Sequence, residues 1–296
     1  MSQIFDALQR TETDRSGIEL PAARELLEVV ERNTGQFKTP CERQKANTTL
    51  DQFRQFQTAR VLLSPQSKLV CITDVESLAA EKFRFLGIRL RHLQQKRPLK
   101  SILVTSSVAG EGKSTIAANL ACALAGNKQQ KVLLLDGDLR RPSLAGQLGL
   151  GELPGLSDLL EGDSDPATNI YRLESLGLCI LPAGSPHRNP LEFLQPGKLS
   201  ALMDRLEASF DWIVIDSPPV LPLADTSIWM RLADAILLVT RPGTTAKRQL
   251  QRSLEAIEQS KLLGAVLNGS KEAVANNYYY YSARSAAPQS ASLPAK

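Results

Sequence analysis

Cysteine and histidine are too few and too scattered in this sequence to form a recognisable metal or redox site. The four cysteines among the 296 residues lie far apart without a CxxC pair, and the two histidines show no metal-ligand spacing. Neither a zinc site nor a redox motif is therefore readable. Cys122 and Cys179 lie in apolar runs, where a reduced cysteine usually packs as a small hydrophobic residue, and this favours a reducing compartment.

Long apolar stretches are missing as well. Runs such as residues 132–135 are far shorter than the ~20 apolar residues of a membrane helix. The start of the chain is polar and charged, unlike a signal peptide. The 35 basic and 31 acidic residues leave a formal charge of +4, which does not demand a nucleic-acid partner. We expect a cytoplasmic protein without a nucleic-acid partner, which reaches the inner face of the plasma membrane only as a peripheral protein.

Composition divides the chain into three zones. Residues 1–75 are polar and read as an extension or linker, with one helical pattern around residues 22–31. Residues 76–272 carry the apolar patterns of a folded domain. Residues 273–296 form a tail rich in Ser, Ala and Pro that we expect to be disordered.

The middle zone alternates short apolar runs with helical patterns. Nearly continuous Val, Ile and Leu runs are typical of buried parallel strands, and helical crossovers between them predict an α/β fold. We expect a mostly parallel sheet with helices on both faces. The predicted strands are residues 101–105, 132–135, 178–181, 212–215, 235–239 and 264–267, and the predicted helices are residues 113–125, 198–208 and 247–259.

A glycine-rich loop between the first of these strands and a helix is the strongest single signal. Gly110 and Gly112 allow a backbone turn that phosphates can approach, and the following helix start favours an anion. Lys113 is placed to reach the β- and γ-phosphates of ATP, and the Ser114 hydroxyl to bind Mg²⁺. Ser107 stands where the common Walker A pattern has its first glycine. The predicted nucleotide-binding residues here are Ala109, Gly110, Glu111, Gly112, Lys113, Ser114 and Thr115.

Two further strands end in acidic residues. Asp136 and Asp138 follow one apolar run, and Asp216 ends another in the manner of a Walker B strand. The carboxyl ends of parallel strands are where α/β folds bind ligands. A carboxylate at this edge can receive a proton from an attacking hydroxyl or hold a metal-bound water.

Taken together, these motifs resemble the bacterial tyrosine kinases of capsule and exopolysaccharide synthesis. The family's Walker A′ pattern, three apolar residues followed by D-x-D-x-R, matches residues 133–140, and the resemblance covers about residues 70–270 and the tail. It implies a P-loop NTPase fold with ATP and Mg²⁺ as cofactors, and Lys113 acting on the nucleotide. It also implies that Asp136 accepts the tyrosine proton, while Ser114, Asp138 and Asp216 arrange the metal.

Four of the five tyrosines in the chain are consecutive, at Tyr278, Tyr279, Tyr280 and Tyr281. An aromatic strip for packing or docking is one interpretation, because tyrosine is usually buried or at an interface. The resemblance implies the other, that they are phosphoacceptors modified between neighbouring subunits of a ring. Position at the sheet edge makes Asn268, after the last strand, and residues 241–243 candidates for contact with the nucleotide base.

The family's assembly motif, ExxRxxR, is incomplete here. Glu81 and Arg84 match it, but Gly87 replaces the last arginine, and Arg89 and Arg91 follow at a different spacing. A solvated helix face with an i,i+3 ion pair explains the same residues. The resemblance therefore implies a ring with a weakened motif, activated by a separate transmembrane protein of the polysaccharide machinery.

The function that these features favour is an ATP-dependent tyrosine autokinase that regulates exopolysaccharide or capsule synthesis and export. One alternative is a positional ATPase of the MinD/ParA kind, which carries an extra lysine early in the loop, where this chain has Val108. Another is a regulatory subunit that binds nucleotide without transferring phosphate. Both need the same phosphate loop.

Overall fold

One eight-stranded sheet organises the chain. In the computed structural model, residues 56–162, 165–185, 189–221 and 224–270 are described, so the predicted helix at 22–31 and the tyrosine tail lie outside them. The strands follow the order β1-β4-β5-β3-β6-β2-β7-β8, and among the described residues only β4 and β5 pair antiparallel. The strands are β1 Gln57–Thr58, β2 Ser101–Ser106, β3 Val132–Asp136, β4 Tyr171–Leu173, β5 Leu178–Leu181, β6 Trp212–Asp216, β7 Ala235–Thr240 and β8 Leu262–Leu267.

Helices connect the parallel strands. All six predicted strands and all three predicted helices are present, with the ends shifted by up to three residues. Short 3₁₀ turns lie at Pro166–Thr168, Glu174–Leu176 and Pro190–Glu192. The helices are α1 Val70–Thr73, α2 Leu78–Lys96, α3 Lys113–Ala125, α4 Leu144–Gln147, α5 Leu156–Glu161, α6 Pro196–Ser209, α7 Ala224–Leu232 and α8 Lys247–Ala256.

The shifted helix ends have local causes. Helix α6 begins at Pro196, two residues before the prediction, because proline suits the first turn of a helix, where its missing N–H is not needed. Helix α8 ends at Ala256 instead of residue 259. Ile257 adopts an extended backbone conformation there and is buried in the core, with only 3% of its surface exposed.

Part of the predicted N-terminal extension belongs to the sheet. Strand β1 pairs with β4, and Leu69, immediately before α1, is buried in the core. The side-chain amide of Asn119 donates to the Lys68 carbonyl at 3.0 Å, and its oxygen accepts from the Cys71 N–H at 3.1 Å. These contacts fasten residues 68–71 to α3, so the folded part includes residues that composition assigned to the extension.

Two apolar layers cover the faces of the sheet. Alternate residues of each strand point to opposite faces, so Ile102 and Val104 pack in one layer and Leu103 in the other. Helix α3 fills the first layer, and α6 and α7 fill the second. Because β2, β6 and β3 are adjacent and parallel, their carboxyl ends meet at one edge. That edge carries the phosphate loop and the acidic residues.

No helix within the described part of the chain combines the length and the apolar character that crossing a membrane requires.

Candidate nucleotide-binding site

The phosphate loop follows β2 and is built on two left-handed glycines. Gly110 has a φ of 86° and Gly112 a φ of 91°, a region that favours glycine. Helix α3 begins immediately afterwards at Lys113, and no side chain caps its amino end. The first backbone N–H groups of a helix lack intrahelical partners, and the helix dipole makes this end electropositive. The loop and the helix start therefore form an anion site of the kind that binds phosphates.

Glu111 braces this loop from inside. Its side chain is fully buried: one carboxylate oxygen accepts from the Val108 N–H at 2.9 Å. The other oxygen accepts from the Arg241 N–H at 3.3 Å and from the Thr245 hydroxyl. Burial raises the pKa of Glu111 above its usual value. Sequence reasoning placed Glu111 at the nucleotide and missed this role, because the partner Thr245 is 134 residues away.

Asn268 contacts the same loop from the end of β8. Its side-chain amide donates to the Glu111 carbonyl at 2.8 Å, and its backbone N–H donates to the Thr240 carbonyl at 2.8 Å. A Cβ atom on Gly112 would lie only 2.2 Å from the Asn268 side-chain nitrogen. Asn268 thus fixes the loop's position. Its contact with the nucleotide base stays a prediction.

Lys113 lies between two carboxylates. Its ammonium nitrogen is 2.9 Å from Asp138 Oδ2 and 3.6 Å from Asp216 Oδ1, and it donates to the Ser114 hydroxyl at 3.3 Å. Burial alone would lower the pKa of Lys113, but the charges of Asp216 and Asp138 outweigh burial and raise it. Lys113, the first residue after the phosphate loop, therefore keeps its positive charge.

Asp136 ends β3 opposite Asp216 on β6. One oxygen accepts from the Asp138 N–H at 3.2 Å, and the other from the Ser143 and Leu144 N–H groups at 3.2 and 3.1 Å. Burial, and next the charge of Asp216, raise its pKa to about 7. Asp138, just after β3, therefore makes the direct contact with Lys113, and Asp136 holds the loop that carries Asp138.

Asp216 is a buried carboxylate without a hydrogen bond. Its exposed fraction is 0%, and neither oxygen has a donor at bonding distance in the described part of the chain. Burial raises its pKa to about 6, although the Lys113 charge opposes the shift. A buried carboxylate without hydrogen bonds is costly, and the charge of Lys113, which is shared with Asp138, offsets only part of this cost. Together with the Ser114 hydroxyl and Asp138, Asp216 offers the hard oxygen ligands that Mg²⁺ prefers, so the residues present fit this metal.

The structure thus brings together Lys113, Ser114, Asp136, Asp138 and Asp216 at one edge of the sheet. The tyrosines at 278–281 are the predicted site residues outside the described ranges.

Comparisons with known proteins show which proteins this chain is similar to in sequence and fold. A family model described as ParA, NUBPL iron-transfer P-loop NTPase, matches residues 98–281. The chain is 35% identical over 218 residues to the tyrosine-protein kinase YwqD of Bacillus subtilis, covering 73% of this chain and 92% of that one. It is 30% identical to the putative tyrosine-protein kinase CapB of Staphylococcus aureus, covering 70% and 91%. The crystal structure of the chimerical protein CapA2B2 superposes with a TM-score of 0.63 at 31% identity, covering 71% of this chain and 92% of that chain.

Replacing Gly112 with alanine should destabilise the nucleotide-free protein more than the same change at Gly110. Both positions have a left-handed backbone, where alanine costs about 1–2 kcal/mol. Only at Gly112 would the added Cβ also meet Asn268, since nothing lies within 4 Å of a Cβ at Gly110. Urea unfolding of the two variants measures the difference. Equal losses would show that the Asn268 side chain moves aside without cost and does not hold the loop.

Replacing Asp216 with asparagine should stabilise the nucleotide- and metal-free protein at pH 8. In the unfolded chain an aspartate ionises near pH 4. In the folded protein Asp216 ionises at about pH 6, so its charge destabilises the fold as the pH rises through this window. The gain in unfolding free energy should therefore be present at pH 8 and disappear towards pH 4, measured by urea unfolding in EDTA. A variant less stable than the wild type at pH 8 would show that the carboxylate is compensated.

Proposed function

Since the chain belongs to the ParA family of P-loop NTPases and, within it, to the bacterial tyrosine-protein kinases, we propose that it transfers the γ-phosphoryl group of ATP to the tyrosines at 278–281. The observation that supports this most is the Lys113 ammonium held between the carboxylates of Asp138 and Asp216 at the phosphate loop. In this proposal the lysine that binds the phosphates is hydrogen-bonded to one of the two carboxylates and forms a longer ion pair with the other.

The loop and Lys113 bind the phosphates in this proposal. The free N–H groups at the start of α3 and the Lys113 ammonium would contact the phosphate oxygens, on which negative charge develops during transfer. Bound Mg²⁺ would supply further positive charge, and Ser114, Asp138 and Asp216 are the residues that would hold it. Because Asp138 pairs with Lys113, ATP must compete with this carboxylate for the ammonium group.

Asp136 is the proposed acceptor of the tyrosine proton. A general base works best when its pKa is close to the working pH, and burial raises the pKa of Asp136 to about 7. It also accepts the Asp138 N–H, so its protonation state acts on the loop that carries Asp138.

The position of β8 supports the tail as substrate. Strand β8 ends at Leu267, and the next residue, Asn268, contacts the phosphate loop. Tyr278 lies ten positions after Asn268 in the sequence, a span of at most about 36 Å. We propose transfer to the tail of a neighbouring subunit, as the family resemblance implies.

Assembly of such a ring would involve α2. Glu81 and Arg84 form an exposed ion pair, with Arg84 Nε donating to Glu81 at 2.9 Å. Gly87 is buried against α3 and could not present a side chain outward. The Arg91 guanidinium lies 3.6 Å from where a Cβ of Gly87 would be, and its Nη1 is buried without a hydrogen-bond partner in the described ranges. We propose that Arg91 takes the place of the missing arginine, and that a separate transmembrane protein activates the ring.

Purified protein with ATP and Mg²⁺ should acquire phosphotyrosine in the peptide that contains residues 278–281, read by mass spectrometry. Lys113→Met should abolish the label, because the phosphates lose their cation. Lys100→Met is the matched control, because Lys100 lies just before the first residue of β2, at the end of the strand away from the phosphate loop. Its ammonium contacts the Glu207 carbonyl. Replacing all four tyrosines with phenylalanine should remove the label and leave ATP binding intact.

Hydrolysis of ATP with an unmodified tail would favour the positional ATPase, and nucleotide binding without either reaction would favour the regulatory subunit. We also propose that the phosphorylation regulates polysaccharide synthesis and export. Unchanged polysaccharide in cells carrying only Lys113→Met protein would contradict this role.

Arg91→Ala should weaken self-association, measured by sedimentation velocity with ATP and Mg²⁺. Arg89→Ala is the control, because the Arg89 guanidinium lies over the Phe85 ring at 5.7 Å on an exposed part of the same helix. A monomeric wild type would contradict the ring. Oligomers unaffected by Arg91→Ala, or weakened equally by Arg89→Ala, would contradict the role of Arg91.

A further inference from the structure

The loop of residues 137–141 carries Asp138 to the Lys113 ammonium, and α7 packs against this loop. Gly137, at its start, is held on both sides. Its N–H donates to the Asp216 carbonyl at 2.7 Å, and its carbonyl accepts from the Trp229 indole N–H at 3.2 Å. A Cβ atom on Gly137 would lie 2.8 Å from the Trp229 ring and 2.9 Å from the Asp216 carbonyl. Trp229 is fully buried, so this contact is inside the protein.

The other end of the loop is held by an ion pair. The Arg140 guanidinium donates to both oxygens of Asp225, from Nε at 2.5 Å and from Nη2 at 3.1 Å. Asp225 is buried with 1% of its surface exposed, whereas the Arg140 side chain is about a third exposed. A two-point Arg–carboxylate pair fixes orientation as well as distance. Asp138 lies between these two attachments, and its Oδ1 accepts the Arg141 N–H at 3.0 Å.

Both attachments come from one helix. Asp225 and Trp229 are four residues apart on α7 and therefore lie on one face, one turn from each other. The same helix is tied to the turn that follows β6, because the Thr226 hydroxyl contacts the Pro218 and Pro219 carbonyls at 3.0 Å. Helix α7 thus joins the chain after Asp216 to the loop that carries Asp138.

We infer that Asp225 and Trp229 are positioning residues that set the distance between Asp138, Asp216 and Lys113, and thereby the response of nucleotide binding to Mg²⁺. Neither residue touches the site itself. This inference rests on the proposed function only in taking the phosphate loop to bind a magnesium nucleotide. If Asp225 and Trp229 served only for packing, replacing them would lower the stability of the protein and nothing else. If they position Asp138, replacing them also changes the effect of Mg²⁺ on nucleotide binding.

Trp229→Phe and Trp212→Phe form a matched pair for the test. Both tryptophans are fully buried, and each indole N–H makes one hydrogen bond of 3.2 Å. Trp212 donates to the Gln130 side chain at the start of β6, the end of the strand opposite Asp216. Phenylalanine keeps an aromatic ring and removes the donor at either position. The loss of stability should therefore be similar, and only one variant should alter the site.

The measurement is the Kd of the full-length protein for a fluorescent ADP, determined in EDTA and again with excess Mg²⁺. We expect Mg²⁺ to tighten ADP binding by the wild type and Trp212→Phe to equal degrees. Trp229→Phe should reduce this Mg²⁺ effect at least about fivefold, a change of about 1 kcal/mol, while the Kd in EDTA stays within about twofold. Asp225→Asn, which leaves Arg140 without its carboxylate, should do the same and serves if Trp229→Phe does not fold.

A Trp229→Phe or Asp225→Asn protein with the wild-type Mg²⁺ effect would overturn the inference. An equal loss of the Mg²⁺ effect in Trp212→Phe would also overturn it, and so would a wild type whose Kd for ADP does not change with Mg²⁺. Because ADP binding needs no phosphoryl transfer, a protein that shows the expected shifts but never labels its tail would overturn the proposed kinase function and leave this inference standing.

Discussion

The Lys113 ammonium lies 2.9 Å from one buried carboxylate and 3.6 Å from another, in a place from which water is largely excluded. Taking three charges out of water is costly, and a single lysine cannot neutralise two aspartates. Burial accordingly raises the pKa of Asp216, whose oxygens lack hydrogen bonds within the described ranges. The folded chain therefore retains an arrangement that does not favour its own stability. Functional sites commonly hold charge in this way.

The phosphate loop is held in its shape by side chains from other parts of the chain. An anion site works best when its donors are already oriented before the ligand arrives. Here, Glu111 ties the loop to the turn after β7, and Asn268 ties it to the end of β8. The Val108 N–H is committed to Glu111, so the loop's shape depends on an internal carboxylate. The position where positional ATPases carry an additional lysine thus serves here to hold the loop.

Sequence patterns predicted the individual strands and helices but not the contacts between residues that are far apart in the sequence. The strands of the sheet interior were readable because β2, β3, β6 and β7 are nearly continuous in apolar residues, and the helix after the loop follows directly from the glycine motif. Strands β1 and β4 are two and three residues long and carry no such pattern. The contacts of Glu111 with Thr245, of Asn268 with Glu111 and of Arg140 with Asp225 join residues 85 to 157 positions apart. No spacing rule in the sequence can indicate such pairs. The acidic residue Glu111 within the glycine-rich loop is one hint that a side chain holds the loop from inside.

The residues of the site divide into those that must change partners and those that must not. In the proposed function, Lys113 exchanges Asp138 for phosphate oxygens when a nucleotide binds, so its ion pair is the contact that breaks. Asp138 can remain in place during this exchange only if the loop that carries it is held independently of Lys113. The Gly137 contacts with Asp216 and Trp229, and the Arg140 pair with Asp225, supply that independent support. In the proposed function, the buried carboxylates therefore stay together after the lysine has turned to the nucleotide, and a cation bound with the nucleotide would neutralise them.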